Sequence, residues 1–280
     1  MNPRTLTVSA ALSACSRESR RDAELLLAHC LAMSRGELLA RIDSPVPEPV
    51  ALAFGQLLAR LEAGEPLAYL TGEKEFWSLP LKVDASVLVP RPETEALVEA
   101  ALAAGPADRQ LAVLDLGTGS GAIALALARE RPGWQVTATD LSAAALTVAR
   151  QNALRLGLDR IEFMLGDWFG PLGVRRFDLI ASNPPYVAAG DAALAAAALS
   201  HEPRAALVPG PRGLEALEVI IREAPSHLRS DGHLLLEHGA EQGASARKLF
   251  ASAGFSNIRT LNDLAGHERV TAGQNIRAIT

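Results

Sequence analysis

Apolar residues in the first quarter of the chain recur at helical spacing. Ala23, Leu26, Leu27 and Cys30 form one stripe, and Leu52, Leu57, Leu58 and Leu61 form another. Pro45, Pro47 and Pro49 interrupt the pattern between them, so the stretch from Met1 to about Gly64 is expected to fold as a small helical bundle. Glu75 to Val83 mixes aromatic and aliphatic residues around a Ser/Pro centre and reads as a short hairpin. A further helix should start after Pro90-Arg91-Pro92-Glu93-Thr94-Glu95, because proline and acidic residues suit a helix's first turn.

Beyond Leu111 short apolar runs alternate with helical stretches. The runs are Ala112 to Leu116, Gln135 to Thr139, Ile161 to Leu165, Phe177 to Ser182 and His233 to Glu237, and the helices include Ala122 to Arg131 and Ala143 to Leu156. Strands that are apolar throughout and alternate with helices predict a mostly parallel sheet covered on both faces. Phe255 to Leu261 and Arg269 to Ala272 follow with short connections and are expected to add an antiparallel edge. The Ala-rich stretch Ala188 to Ala198 reads as a surface helix or a flexible insert, and no solenoid repeat is evident. The expected organisation is an N-terminal helical bundle over residues 1–72, a linking hairpin over 73–89 and an α/β domain over 90–280.

Composition narrows the class without changing this picture. A chain of 280 residues that is 49% hydrophobic has room for about two domains and a core that needs no disulfide or structural metal. Only Cys15 and Cys30 are present, neither in a CxxC, which fits a reducing cytoplasm and excludes a disulfide scaffold or a Cys-rich zinc site. The six histidines are scattered with no metal-ligand spacing, so no metal is expected. A net charge of −5 gives no overall basic field for nucleic-acid phosphates. No run reaches the roughly 18 apolar residues of a membrane span. An export signal ending at Leu12-Ser13-Ala14-Cys15 after Arg4 is rejected, because Thr5, Thr7, Ser9 and Ser13 dilute its apolar core and the charged run Arg17 to Asp22 leads into a helix.

Two constellations carry chemistry. Asp115-Leu116-Gly117-Thr118-Gly119-Ser120-Gly121-Ala122 sits where a strand ends and a helix begins, and its glycines allow a tight turn and close approach of a ligand to main-chain atoms. In an open α/β sheet that position is a binding crevice. Gly117-x-Gly119-x-x-Ala122 also fits the loose dinucleotide fingerprint, and Asp140 ends the next strand where an acid takes ribose hydroxyls in either kind of cofactor site. The second constellation is Asn183-Pro184-Pro185-Tyr186, immediately after the strand Phe177 to Ser182. Two prolines remove two N–H donors, so the turn presents carbonyl acceptors with the Asn183 carboxamide and the Tyr186 ring. Such a site suits a planar group bearing an –NH₂, both hydrogens accepted and the flat face against an aromatic ring.

In order and spacing, Asp115-x-Gly117-x-Gly119-x-Gly121, Asp140, Gly166-Asp167-Trp168 and Asn183-Pro184-Pro185-Tyr186 resemble the S-adenosylmethionine-dependent amino-methyltransferases. Phe76-Trp77-Ser78-Leu79-Pro80-Leu81, Pro90 to Glu95, Glu202-Pro203 before Ala206-Leu207, and Leu236-Glu237-His238-Gly239 narrow the resemblance to the bacterial release factor glutamine methyltransferases, the HemK/PrmC family, over nearly the whole chain. The resemblance implies a class I methyltransferase-like (Rossmann-type), mostly parallel seven-stranded sheet with an antiparallel edge. It implies methyl transfer from S-adenosylmethionine, leaving S-adenosylhomocysteine, to the side-chain nitrogen of the Gln in the Gly-Gly-Gln loop of class 1 peptide chain release factors. By the family pattern Gly117, Thr118, Gly119, Ser120 and Gly121 line the methionine part, Asp140 accepts the ribose hydroxyls, and Trp168 packs by the adenine with Asp167 beside it. Asn183 and the Pro184 carbonyl would hold the Gln amide, with Pro185 shaping the turn and Tyr186 against the amide face. The helical bundle would contact the release factor.

Alternatives of other kinds share some of these features. An adenine-N6 nucleic-acid methyltransferase would extrude a base into the Asn183 to Tyr186 turn and show steep salt-dependent binding, which the acidic balance disfavours. A non-catalytic adaptor would bind a translation factor without needing an intact Asn183 and Gly117 to Gly121. A nicotinamide-dependent oxidoreductase leaves Asn183-Pro184-Pro185-Tyr186 without a task. Glu93, Glu95 and the Glu237-His238-Gly239 segment stand near the crevice with either structural or functional roles open, and Phe76 and Trp77 read as inter-domain core.

Overall fold

The structure is a computed structural model that describes residues 6–13, 15–16 and 18–276. The parts of the N-terminal reading that rest on Arg4, Thr5, Ala14 and Arg17 lie outside them. The described chain divides into two compact units, residues 6–73 with 195–201, and residues 74–194 with 202–276.

The first unit is helical: α1 (Val8–Leu12), α2 (Arg20–Cys30), α3 (Arg35–Ala40), α4 (Glu48–Glu62) and α5 (Leu67–Thr71). Its core gathers Leu12, Leu26, Leu27, Leu38, Val46, Phe54 and Leu58. Ser34 caps α3 through a reciprocal pair with Glu37, satisfying two end donors. Glu24 is buried in α2, and its carboxylate is held by Arg20 at 3.1 Å and Arg35 at 2.7 Å. On α4, Leu57, Leu58 and Leu61 of the expected stripe lie on the core side, but Leu52 is 65% exposed and Phe54 is buried instead. The Ala-rich segment contributes a 3₁₀ turn, Ala192–Ala195, and one α-helical turn, α6 (Ala197–Ser200), whose Ala197 lies where a Cβ on Gly64 would collide, so Gly64, at a φ of +93°, is needed both for its conformation and for that approach.

The second unit opens with a hairpin whose first strand, β1 (Glu73–Phe76), begins at its boundary and pairs with β2 (Leu79–Lys82). A 3₁₀ turn, Pro92–Thr94, feeds α7 (Glu95–Ala104). The sheet then builds as β3 (Ala112–Leu116), α8 (Ala122–Glu130), β4 (Gln135–Asp140), α9 (Ala143–Leu156), β5 (Glu162–Leu165), β6 (Phe177–Ser182), the short α10 (Arg204–Leu207), α11 (Glu215–His227), β7 (Leu228–Glu237), α12 (Gly243–Ser252), β8 (Phe255–Asn262) and β9 (Glu268–Asn275). The seven strands run in the order β5-β4-β3-β6-β7-β9-β8. The first five are parallel, and β9 and β8 form the antiparallel edge. The chain leaves the sheet centre in opposite directions from β3 and β6, which is where open α/β sheets form their ligand crevice.

Side-chain alternation assigns the two faces. Val113, Leu179, Ala181 and Leu235 pack under α7 and α8, while Leu114, Leu116, Ile180, Leu234 and Leu236 pack under α11 with Phe250 of α12. Phe76 joins the first of these cores. Asn152 of α9, fully buried, accepts from the Lys82 N–H at 2.7 Å and donates to the carbonyls of Lys82 at 3.0 Å and Ser120 at 2.9 Å, joining the hairpin to the glycine loop. Asn152→Ala strands three backbone groups at once. It should cost about 2–4 kcal/mol of the unit's stability, read by urea unfolding.

Candidate active site

The crevice is formed by the loops at the carboxyl ends of β3, β4, β5 and β6, and the structure brings the sequence-predicted residues together there. After β3 the chain turns through Gly117, Gly119 and Gly121, each with φ between +56° and +87°. The Gly117 and Thr118 N–H groups both donate to the Thr139 carbonyl, at 2.9 and 3.0 Å. The Thr118 hydroxyl turns inward to Asp115, at 2.7 Å, and the Ser120 side chain is buried, so this loop offers the crevice main-chain atoms in preference to hydroxyls. Nothing lies within 4 Å of the place a Cβ on Gly119 would occupy, and the Trp168 ring is the nearest group, at 3.5 Å, to a Cβ on Gly117. A main chain laid bare in this way leaves room for a ligand against it.

Asp115 organises the turn. It has no exposed surface, and one oxygen accepts from Thr118 and, at 3.2 Å, from the Ala124 N–H at the start of α8, while Oδ1 has no partner among the described residues. Burial pushes its carboxyl up to about 7, opposed by those two donors and reinforced by the charge of Asp140. Asp140, at the end of β4, accepts from Gly119 N–H and Ser142 N–H, each at 2.8 Å. Each oxygen keeps a second acceptor position. Asp140 therefore anchors the glycine loop while still facing the crevice with acceptor capacity. Beyond β5, Gly166 N–H donates to the Asp140 carbonyl, Asp167 is exposed, and Trp168 takes a φ of +41° with its carbonyl accepting from the Thr139 hydroxyl at 3.2 Å.

Asn183 follows β6. Its Nδ2 donates to the Thr94 hydroxyl at 3.0 Å, and among the described residues Oδ1 and the Pro184 carbonyl accept from nothing. Tyr186 is held at both ends: its hydroxyl donates to Glu237 Oε1 at 3.4 Å, and its carbonyl accepts from Gln242 Nε2 at 3.0 Å. Burial, and next the neighbouring Glu237 charge, push the phenol up to about 12, so it stays protonated. Gly213, at a φ of +75°, passes so close that a Cβ there would sit 2.5 Å from the Tyr186 carbonyl oxygen. Arg91 pairs with Glu202 at 2.5 Å, and Glu202, with a side chain only 1% exposed, thereby pins the Pro90 to Thr94 segment beside the site.

Thr94, Gln242 and the Arg91–Glu202 pair escape sequence reasoning because their partners lie between 56 and 111 residues away. The Pro90 to Glu95 and Glu202-Pro203 segments that carry the family resemblance were the available signal. His238 turns away from chemistry, its ring nitrogens against the Gly239 carbonyl and the Thr271 hydroxyl, both at 2.9 Å. Glu95 accepts from the Trp77 N–H at 2.9 Å, a structural tie. Cys15 and Cys30 are free and half-buried. Among the described residues no group of three or more His, Cys, Asp or Glu could hold a metal ion, and no helix is long and apolar enough to cross a membrane.

A sheet of this order with a glycine turn after its first strand, an acid ending the second and Asn-Pro-Pro-Tyr after the fourth defines a class I methyltransferase. Comparison with known proteins agrees. The Methyltransferase small domain model matches residues 93–213 and the PrmC N-terminal domain model residues 7–72. The release factor glutamine methyltransferase of Vibrio cholerae is 46% identical over 280 residues, covering 96% of this chain and 97% of that protein. That of Pseudomonas aeruginosa is 47% identical over 259 residues, covering 92% and 94%. A methyltransferase from Pyrococcus furiosus shares the fold at a TM-score of 0.55 and 19% identity, over 79% of this chain and 98% of that one. The chain belongs to the release factor glutamine methyltransferase family.

Asp140→Ala removes both the crevice acceptor and the anchor of Gly119. It should weaken S-adenosylmethionine binding with the fold retained, measured by titration calorimetry beside circular dichroism. For Asp115, the folded protein holds the proton more tightly than the unfolded chain. Its contribution to stability is therefore complete below about 4 and is lost as pH rises to about 7. Relative to Asp115→Asn, the wild type should lose stability across that interval and show no further relative loss above it, in urea titrations at each pH.

Proposed function

We propose that this protein transfers a methyl group from S-adenosylmethionine to the side-chain amide nitrogen (N5) of the glutamine in the Gly-Gly-Gln loop of class 1 peptide chain release factors, in the cytoplasm. The observation that carries this reading is the pair of open acceptors, Asn183 Oδ1 and the Pro184 carbonyl, beside the Tyr186 ring and in the same crevice as the glycine turn. A primary amide presents two N–H groups and one flat face, and this turn has a counterpart for each.

The residues of the crevice fit the cofactor. The bare main chain at Gly117 and Gly119 accommodates its methionine part, Asp140 takes the ribose hydroxyls with its remaining lone pairs, and Trp168 with Asp167 flanks the adenine. When bound, S-adenosylmethionine supplies a methyl group on a sulfonium. An amide nitrogen is a poor nucleophile because its lone pair is delocalised into the carbonyl. Asn183 Oδ1 and the Pro184 carbonyl offset this by accepting the two N–H groups, which fixes the nitrogen's direction and stabilises the positive charge that grows on it. Pro185 stiffens the turn that aims them. No side chain is needed to take the proton beforehand, since it is released to water after transfer. The division into residues 1–72, 73–89 and 90–280 is part of the same proposal, with the helical bundle contacting the body of the release factor.

Incubation with labelled S-adenosylmethionine and a release factor should place the label on that glutamine amide by mass spectrometry, with none on a release factor whose glutamine is changed. Label elsewhere, or steep salt-dependent transfer to nucleic acid, would overturn the reading. Asn183→Ala should leave cofactor affinity nearly intact and lower turnover on the order of a hundredfold or more. Unchanged turnover would remove Asn183 from its role.

A further inference from the structure

The acceptor turn leaves β6 at Asn183 and ends at Tyr186, and between them Pro184 and Pro185 have φ locked at about −65°. A displacement at either end of such a turn is carried through it, because the two residues inside it have little freedom to absorb one. The near end is fixed by β6, where the Ser182 hydroxyl donates to the Leu116 carbonyl at 2.7 Å, and by the Thr94 hydroxyl, which accepts from Asn183 Nδ2 at 3.0 Å. The far end is fixed through the Tyr186 carbonyl.

That carbonyl meets Gln242, the residue immediately before α12. Gln242 Nε2 donates to the Tyr186 carbonyl at 3.0 Å and to the Gly213 carbonyl at 3.2 Å, and its Oε1 accepts from the Gly239 N–H at 2.9 Å. These partners leave the carboxamide a single orientation. An N–H only donates and a carbonyl only accepts, so Oε1 has to face Gly239 and the two hydrogens of Nε2 have to face the two carbonyls. One side chain thus ties together the loop after β6, the loop after β7 and the loop between α10 and α11. The packing around the knot is close: a Cβ on Gly213 would stand 2.5 Å from the Tyr186 carbonyl oxygen and 3.0 Å from the Ala188 nitrogen, and one on Gly239 would stand 3.2 Å from Gln242 Oε1. Beyond Tyr186 the chain stays anchored, with the Val187 N–H donating to the Leu207 carbonyl at 2.9 Å and the Ala189 N–H to the Gly210 carbonyl at 3.0 Å.

We propose that Gln242 is a positioning residue for the methyl transfer. By locking the Tyr186 carbonyl to Gly213 and Gly239 it fixes the far end of the Asn-Pro-Pro-Tyr turn, and with it the direction in which the Pro184 carbonyl and the Tyr186 ring meet the glutamine amide. All three of its bonds go to main-chain groups, so it acts through the turn and not on the reacting atoms. The inference rests on the role given to that turn above.

An isosteric replacement separates hydrogen bonding from packing. Gln242→Glu keeps the size of the side chain and an acceptor for Gly239, but it sets a carboxylate oxygen against two carbonyl oxygens with no proton between them. One readout needs no turnover. The chain has two tyrosines, so full-length protein labelled with ¹³C-tyrosine gives ring signals from Tyr186 and from Tyr69, which serves as the internal reference. Gln242→Glu and Gln242→Ala should shift or broaden the Tyr186 ring signals and leave those of Tyr69 in place. Gly213→Ala, which presses on the same carbonyl from a different loop, should do likewise. In glutamine methylation all three variants should lower kcat by about tenfold or more, the scale of two lost neutral hydrogen bonds, with the KM for the release factor and the affinity for S-adenosylmethionine within about threefold of wild type. Wild-type kcat in Gln242→Glu would show that the shape of the side chain suffices, and Tyr186 signals unmoved in Gln242→Glu and Gln242→Ala would show that the turn does not depend on it; either result would overturn the inference. Failure of the wild type to methylate the glutamine would instead overturn the proposed reaction, and the tyrosine spectra would still decide whether Gln242 holds the turn.

Discussion

The Asp115 carboxylate lies under the glycine turn with no contact with solvent, and it ties the end of β3 to Thr118 in the loop and to the Ala124 N–H at the head of α8. A buried carboxyl is costly unless its lone pairs are used or it holds a proton. Both remedies operate here, since one oxygen has two donors and burial raises the carboxyl into the neutral range. The three-point tie lets three glycines stand at positive φ without the loop collapsing onto itself. Asp140 completes it from the neighbouring strand by accepting the Gly119 N–H, and Asn152 does so from below through the Ser120 carbonyl. A flexible sequence is thereby made into a rigid crevice wall.

The acceptor half of the site is organised by different physics. Pro184 and Pro185 remove donors from the turn, but a turn of prolines does not by itself aim a carboxamide. Thr94, from the segment before α7, meets the Asn183 carboxamide, while Glu237 of β7 and Gln242 at the start of α12 hold Tyr186 by its hydroxyl and its carbonyl. The Arg91–Glu202 pair keeps the Thr94 segment in place by joining it to the chain leading into α10. The carboxamide and the phenol are thus each met by a residue from a different stretch of chain, Thr94 and Glu237.

In the helical unit the same division between local pattern and packing is visible. Helical spacing correctly located α2 and α4 and put Leu57, Leu58 and Leu61 on the core side, yet Leu52 lies in solvent while Phe54 is inside. A stripe of leucines gives an apolar face only to within a turn's rotation, and the neighbours Leu26, Leu27 and Leu38 decided which side was buried. The Ala-rich stretch was legible only as compositional bias. Its α-helical turn, Ala197–Ser200, packs with the helical unit despite lying between strands of the other.

By itself the sequence determined the order of strands and helices, the glycine turn, the acid at Asp140 and the acceptor turn at Asn183. These are properties of neighbouring residues: apolar runs too short for helices, positive-φ glycines and paired prolines act on the chain next to them. Tertiary structure alone decided that Glu237 stands behind Tyr186, that Thr94 meets Asn183, and that His238 is buried against β9 instead of facing the crevice. The physical reason is alternation combined with register. Which face of a strand a residue occupies, and which distant segment covers that face, follows from how five parallel strands align, and no local pattern of residues encodes that alignment.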